Sequence, residues 1–106
     1  MHDLFSGFIK IHILHHASEE EVYGLWLMEE LAQHGYSVGP GTLYPTLHGL
    51  EEAGYLASEK RVVAGRQRRY YAITPAGREA LSEARARLKE LVDEMLDVKN
   101  GSMEAQ

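Results

Sequence analysis

The chain has 106 residues, of which 44% are hydrophobic, and a formal net charge of −5, which fits one small acidic domain with its own core. It contains no cysteine, so disulfides, thiolate metal ligands and thiol redox sensing are excluded. No apolar run approaches the roughly 20 residues of a membrane span, and the N-terminal segment does not fit a signal peptide, so we expect a cytoplasmic protein without membrane contact.

The first part of the chain predicts two helices. The first spans residues 3–16, and its buried candidates are Leu4, Phe8, Ile11 and Leu14. Ser18 is the expected N-cap of the second helix, about 19–34, where the acids at 19–21 suit the positive end of the helix dipole. Gly35 is expected to end this helix. Its apolar positions are Val22, Leu25, Leu27, Met28, Leu31 and Ala32.

The stretch "PGTLYPTLHGLEEAG" predicts a third helix with two different faces. Pro40 suits the first helical position and Gly54 suits the end. The apolar side of the helical wheel carries Leu43, Leu47 and Leu50. The opposite side carries small or uncharged residues, namely Gly41, Thr42, Pro45, His48 and Gly49, with Tyr44 on the flank. One face is therefore suited to burial, and the other lets a partner approach the backbone closely.

A basic β-hairpin is predicted next. Two β-rich runs, about 55–63 and 67–73, flank a turn at Ala64 and Gly65. Within ten positions that contain no acid, the chain places five of its 11 Lys and Arg residues, namely Lys60, Arg61, Arg66, Arg68 and Arg69. Because salt confines charge effects to about 10 Å, such a patch outweighs the negative net charge in selecting a partner.

The last helix has a heptad pattern. Thr74 is its expected N-cap and Pro75 its first residue. Spacings of 3, 4, 3, 4 and 3 connect Leu81, Ala84, Leu88, Leu91, Met95 and Val98, and Val92 and Leu96 widen this seam. A helix of roughly 35 Å is too long for the small domain to cover, so we expect a second copy of the chain to cover it. The alternative is a helix folded wholly onto its own domain.

The order helix, helix, turn, helix, basic hairpin, helix predicts a mainly α fold with a small β-hairpin, the winged helix-turn-helix. We expect residues 1–74 to form this DNA-binding domain, 75–99 a C-terminal dimerisation helix and 100–106 a disordered tail. The third helix would enter a major groove about 12 Å wide, and the hairpin, or wing, would lie beside the backbone or in the minor groove. The candidate DNA-binding residues are Tyr23, Gly39, Thr42, Tyr44, Pro45, His48, Lys60, Arg66, Arg68 and Arg69.

We also expect the chain to form a homodimer. The candidate interface residues are Leu81, Ala84, Leu88, Leu91, Val92, Met95, Leu96, Phe8 and His12. The two DNA-binding domains of such a dimer, which we call the reading heads, would be related by a twofold axis. They therefore predict a pseudo-palindromic operator in double-stranded DNA. A small-molecule effector that changes the angle between protomers would then release the operator.

The histidines of "HILHH" leave two alternatives open. His12 and His16 are one helical turn apart, and such a pair can bind a transition metal. A third ligand would have to come from Glu19, Glu20 or another chain, and without a recognisable ligand set we predict no metal site and no cofactor. Alternatively, His12, His15 and His16 line the dimer interface and titrate near pH 6, which would make the dimer pH-sensitive.

The segments "YGLWLMEEL", "VGPGTLYPTLHGLEEAGYL" and "GRQRRYYAITPAG", followed by one C-terminal helix, resemble the PadR family of bacterial transcriptional regulators. The resemblance covers roughly residues 4–98 and implies a homodimeric repressor whose C-terminal helices form the dimer, with the N-terminal helix packed against them. Gly39 stands where many relatives carry serine, which implies that a side-chain N-cap and a phosphate contact are missing.

Two other functions remain as alternatives. One is a winged-helix protein-interaction module, which the basic wing disfavours, and the other is a histidine-based metal-responsive repressor on the same fold. An enzyme is not expected, because the chain has no cysteine nucleophile, no glycine-rich phosphate loop and no convincing Ser/His/Asp set.

Overall fold

The computed structural model describes residues 2–96, which form four helices and a three-stranded antiparallel sheet. The elements are α1 (His2–Glu19), β1 (Val22–Tyr23), α2 (Gly24–Gln33), α3 (Pro40–Glu52), β2 (Leu56–Val63), β3 (Arg66–Ile73) and α4 (Pro75–Met95). This confirms the mainly α fold with a β-hairpin. The heptad position Val98 and the predicted tail at 100–106 lie outside the described residues. Within them, no helix is both long and apolar enough to cross a lipid bilayer.

The segment between α1 and α2 differs from its prediction. Ser18 does not cap α2; it lies in the last turn of α1, where its hydroxyl donates to the carbonyl oxygen of His15 at 2.6 Å. The next residues are extended, because Val22 and Tyr23 pair with Tyr71 and Tyr70 of β3. α2 therefore begins only at Gly24, and its N-cap residue, Tyr23, makes no side-chain capping bond. The prediction of a helix from residue 19 was wrong, because long-range pairing outweighs the local helix signal.

Helices α2 and α3 end as predicted, each at a glycine in the left-handed conformation. Gly35 has φ of 90° and Gly54 has φ of 86°. After α2, the amide of Tyr36 donates to the carbonyl of Leu31 at 2.9 Å, and after α3 the amide of Tyr55 donates to Leu50 at 2.9 Å. These bonds fix the direction in which the chain leaves each helix.

In the sheet, β3 lies between β1 and β2. β2 and β3 pair over their whole length, from Leu56 with Ile73 to Val63 with Arg66. The two residues of the connecting turn, Ala64 and Gly65, both have positive φ, 53° and 79°, as a type I′ hairpin turn requires. β1 pairs only with positions 70 and 71, so residues 66–69 of β3 form an open strand edge within the described structure.

The core lies between the helices and one face of the sheet. Its fully buried side chains are Ile13, Val22, Leu27, Leu31, Leu43, Leu47, Leu56 and Leu81. All three leucines of the apolar face of α3 are buried, as predicted. Two of the burial predictions for the first helix were wrong, because Leu4 and Phe8 project from a helix face that the domain does not cover and are exposed.

The fourth helix is capped as predicted but is buried only at its start. The Thr74 hydroxyl accepts from the amide of Gly77 at 3.0 Å, and Pro75 is the first helical residue. Leu81 is 2% exposed, so it belongs to the core of its own chain and offers no surface to a partner. Beyond it, Ala84 and Leu88 are half-buried and the later apolar side chains are exposed.

Candidate nucleic-acid interface

A cleft of about 360 Å³ separates the wing from the helices. We call it the wing cleft. It is lined by Tyr23, Gly24, Leu25, Tyr44, Arg66, Gln67, Arg68 and Arg69. The open edge of β3 forms one wall, and the start of α2 with the Tyr44 flank of α3 forms the other. Three guanidinium groups on one wall make this cleft suited to a polyanion.

Strand alternation divides the five hairpin cations into two groups. Arg61, Arg66 and Arg68 project from one face, whereas Lys60 and Arg69 lie opposite each other in register on the other. Arg69 donates to the Ser58 hydroxyl at 2.9 Å, and its side chain is partly committed to the protein. The Arg66 side chain has no hydrogen bond or ion pair with any described residue, and it is exposed. Arg66 is therefore the arginine of the wing cleft that is most available to a ligand.

Aromatic rings hold Arg68 in place. Its guanidinium lies 4.3 Å from the centre of the Tyr23 ring, which in turn stands edge-on to Tyr70 at 5.5 Å. Hydrogen bonding with Tyr70 raises the pKa of Arg68 further above its ordinary value. The guanidinium of Arg61 in turn lies 4.6 Å from the centre of the Tyr70 ring. Arg68 is thus a fixed, permanent positive charge at the cleft.

Arg61, which is opposite Arg68 in the sheet, has a structural role that the sequence did not indicate. Its two terminal nitrogens donate to both oxygens of Glu21 at 2.8 and 2.6 Å, and its Nε donates to Glu59 at 2.6 Å. Hydrogen bonds from Arg61 lower the pKa of Glu21, and those to both acids raise the pKa of Arg61. Like charges directly opposite in a sheet repel, and these carboxylates offset that repulsion.

Tyr44 is positioned by close contact with a glycine. A Cβ atom built on Gly24 would overlap the Tyr44 hydroxyl, so the ring packs against the first turn of α2 only because residue 24 has no side chain. The Tyr44 side chain is nevertheless 45% exposed and lines the wing cleft. The sequence had not indicated Gly24, Leu25 or Gln67 as cleft residues, because their positions depend on tertiary packing.

The other predicted site residues of α3 lie outside the wing cleft. Gly39, the N-cap, has extended backbone and no side-chain capping bond. Pro45 and His48 are exposed on the outer face, and His48 Nε2 lies 3.3 Å from the carboxylate of Glu52. Thr42 is half-buried and lines a separate groove with Phe5, Ile9 and Tyr36. The structure therefore brings Tyr23, Tyr44 and the β3 arginines together, but it does not bring Thr42 to them.

An apolar surface lies on α1 and α4. Its exposed large apolar side chains are Leu91, Val92 and Met95 on α4, Leu96 at the C-cap of α4, and Leu4, Phe5 and Phe8 on α1. Met95, Leu96 and Leu4 are 70%, 65% and 64% exposed. Between the two helices lies a cavity of about 370 Å³, whose lining includes Phe8, Ile11, His15, Leu81, Arg85 and Leu88.

Within residues 2–96, the histidines form two groups that could hold a metal ion. One consists of His15, His16 and Glu19, the kind of set that the sequence left as an alternative. The other joins His12 and His16 of α1 to His34 at the end of α2. His34 and its partner Glu30, four residues apart on one helix, were missed, although that spacing is itself a recognisable signal.

A buried three-leucine face on α3, an exposed opposite face and a basic antiparallel hairpin define this chain as a winged helix-turn-helix protein. Residues 13–83 match the Transcriptional regulator PadR-like family. Transcriptional regulator Rv3488 of Mycobacterium tuberculosis is 61% identical over 88 residues, which cover 83% of this chain and 82% of that protein. The chain belongs to the PadR-like family of transcriptional regulators, a DNA-binding and non-enzymatic family.

Solved structures of other members agree with this assignment. A PadR-like regulator from Bacillus cereus superposes with a TM-score of 0.82 at 28% identity, covering 91% of this chain and 95% of that one. A PadR family regulator from Eggerthella lenta superposes with a TM-score of 0.78 at 33% identity, covering 91% and 85%.

Proposed function

We propose that this protein is a cytoplasmic homodimeric repressor that binds a pseudo-palindromic operator and leaves it when an effector binds. The observation that carries the DNA-binding part is the wing cleft, which is lined by Arg66, Arg68 and Arg69 on one side and by Tyr44 on the other. A phosphate backbone running through this cleft would meet three cations and a tyrosine hydroxyl.

The outer face of α3 supplies the base-reading surface in this proposal. Gly41, Pro45, His48 and Gly49 are exposed, and no heavy atom lies within 4 Å of the Cβ position of either glycine. Short side chains let the helix backbone approach the floor of a major groove. His48 is the one side chain among these four that can form a hydrogen bond with a base edge, and its exposed pair with Glu52 is weak enough to exchange for it.

The dimer part of the proposal rests on the apolar surface of α1 and α4. Ala84, Leu88, Leu91 and Met95 continue the heptad seam beyond the buried Leu81, and Val92, Leu96, Phe8 and His12 flank it. A second copy related by a twofold axis would cover both helices at once. Such a dimer would place its two α3 helices against half-sites about 34–36 Å apart.

The α1–α4 cavity supports effector control. It is lined mainly by apolar side chains, with Arg85 and His15, whose nitrogens lie 3.0 Å apart, as its polar groups. A small apolar molecule with one acidic or hydrogen-bonding group fits this chemistry. Because the cavity separates the two helices that form the proposed interface, occupation would change their angle and move the reading heads out of register.

The first test is fluorescence anisotropy with the DNA upstream of the protein's own gene and with a scrambled duplex, at several salt concentrations. We expect preferential binding to the upstream DNA that weakens steeply as salt rises. The absence of any preference at every salt concentration would contradict the proposal and favour a protein-interaction module.

Replacing Arg66 by alanine should weaken binding to both duplexes and reduce the slope of log affinity against log salt by about 1, because one phosphate contact is lost. Arg87→Ala is the matched control, since Arg87 has the same charge but lies on α4 with its side chain 75% exposed. Equal salt slopes for the two variants would show that Arg66 does not contact DNA.

Gly24→Ala should weaken operator binding while the protein stays folded. The added methyl group would occupy the position of the Tyr44 hydroxyl, and the end of a partly exposed side chain can move away. Tyr44→Phe is the companion variant, because it removes the proposed phosphate donor without moving the ring. We expect both variants to lose affinity in anisotropy and to keep the wild-type circular dichroism spectrum. Wild-type affinity in both would contradict the role of Tyr44.

A further inference from the structure

Three imidazoles from two helices converge near the end of α2. The metal-binding nitrogens of His12, His16 and His34 all lie within 4.8 Å of one another. A tetrahedral zinc ion with bonds of about 2.0–2.1 Å holds its donors about 3.3 Å apart, so small side-chain rotations would close this set. His12 and His16 lie one turn apart on α1, and the packing of α2 on α1 brings His34 to them.

A carboxylate completes the group. Oε2 of Glu30 lies 3.6 Å from Nε2 of His16 and 3.2 Å from Nε2 of His34. The Glu30 side chain is 21% exposed and that of His16 is 12% exposed, so this oxygen is shielded from bulk water. Three imidazole nitrogens and one carboxylate oxygen form a donor set that zinc and other late first-row divalent metals accept.

The surroundings hold these side chains in place. The Trp26 ring stands edge-on to His16 at 5.3 Å, and the Tyr36 ring stands edge-on to His12 at 5.4 Å. His34 is the C-cap residue of α2, and its ring centre lies 5.1 Å from that of His12. Burial is the main cause that lowers the pKa of both His12 and His16. A lowered pKa favours the neutral imidazole, which is the form that binds metals.

We propose that His12, His16, His34 and Glu30 bind one divalent transition-metal ion per chain, with Zn²⁺ as the representative ion. The other histidine group is less suitable, because Nη2 of Arg85 lies 3.0 Å from Nδ1 of His15. A permanent positive charge at that distance opposes a divalent cation. Glu19 is also mostly exposed, whereas Glu30 is not.

The test is a titration of the chelator-treated full-length protein with Zn²⁺, without DNA. Trp26 is the single tryptophan in the sequence and touches His16, so its fluorescence reports directly on the proposed site. We expect a saturable change at one ion per chain and a rise in melting temperature, because an ion that binds only the folded state stabilises it. Co²⁺ should give the visible absorption of a tetrahedral complex.

His34→Gln and Glu30→Gln should each lower Zn²⁺ affinity by at least about 10-fold, because each removes a ligand. His15→Gln is the matched control, since it removes a neighbouring histidine on α1 and should leave the affinity unchanged. Wild-type affinity for His34→Gln, or a larger loss for His15→Gln, would overturn the proposal. Because fold is checked by circular dichroism in each variant, a loss caused by misfolding is recognised.

Metal binding would tie α1 to the end of α2 just before the turn that leads into α3. We therefore expect Zn²⁺ to change operator affinity in the wild type and not in His34→Gln. This regulatory prediction rests on the proposed DNA-binding function, whereas the metal site does not. If Zn²⁺ binds but leaves operator affinity unchanged, the regulatory prediction is overturned and the proposed metal site stands. Failure to bind DNA at all would contradict the proposed function, and the fluorescence titration would still test the site.

Discussion

Leu91→Glu is expected to separate the proposed dimer into monomers and to lower affinity for the proposed operator by about 10²–10⁴-fold. The Leu91 side chain is 43% exposed in the protomer and lies on the heptad seam beyond Leu88. In a twofold dimer the substitution would place two carboxylates in one apolar interface, where charge without a partner is strongly unfavourable. Loss of the second reading head removes the gain from binding two half-sites together, which sets the size of the effect.

Sedimentation and anisotropy on the same samples measure this effect. Ala86→Glu is the matched control, because residue 86 is exposed on the side of α4 away from the seam and receives the same charge. The control should remain a dimer with wild-type operator affinity. If Leu91→Glu also sediments as a dimer and binds normally, the seam is not the dimer interface.

Gly77→Ala should destabilise the fold by about 1–3 kcal/mol, the usual cost of overpacking. A Cβ atom at residue 77 would overlap the backbone carbonyl oxygen of Tyr55 and press on the Ile73 side chain. That carbonyl accepts a hydrogen bond from the amide of Thr74 at 3.1 Å. It therefore cannot move without the loss of this bond, which lies at the junction of β3 and α4. In a domain of this size each kcal/mol lowers the melting temperature by about 4–8 °C.

Gly49→Ala provides the comparison for Gly77→Ala. Both variants replace a helical glycine, but no heavy atom lies within 4 Å of the Cβ position at residue 49. We expect Gly49→Ala to stabilise the protein by about 0.5–1 kcal/mol, because alanine favours the helix over glycine. Thermal melts of the two variants should therefore shift in opposite directions. Equal shifts would show that packing at Gly77 is not restrictive.

The sequence predicted α3, the hairpin and the start of α4 because their limits depend on local chemistry. Pro40, Gly54 and Thr74 act on their own turns of the chain, and Ala64 with Gly65 determines the hairpin turn. The basic patch was also predictable, because it depends only on which residue types occur within one short segment.

Features that depend on distant partners were not predictable in this way. β1 forms only because Val22 and Tyr23 meet the far strand β3, so the acidic run before it was interpreted as a helix start. The role of Arg61 depends on Glu21, 40 residues away. His34 reaches His12 only through the packing of α2 on α1. Leu81 follows the heptad repeat, but it lies in the part of α4 that packs on the core of its own domain. The periodicity alone does not show which heptad positions are buried in this way.

The bond pattern of Arg61 has a consequence for binding kinetics. By joining both oxygens of Glu21 to β2, it fastens the wing to the segment between α1 and β1 before any ligand arrives. The angle between the wing and α3 is then preorganised, and the entropy of ordering is lost during folding rather than during association. The protein should therefore meet the proposed operator with its wing already positioned, and electrostatic steering rather than loop rearrangement should govern the association rate.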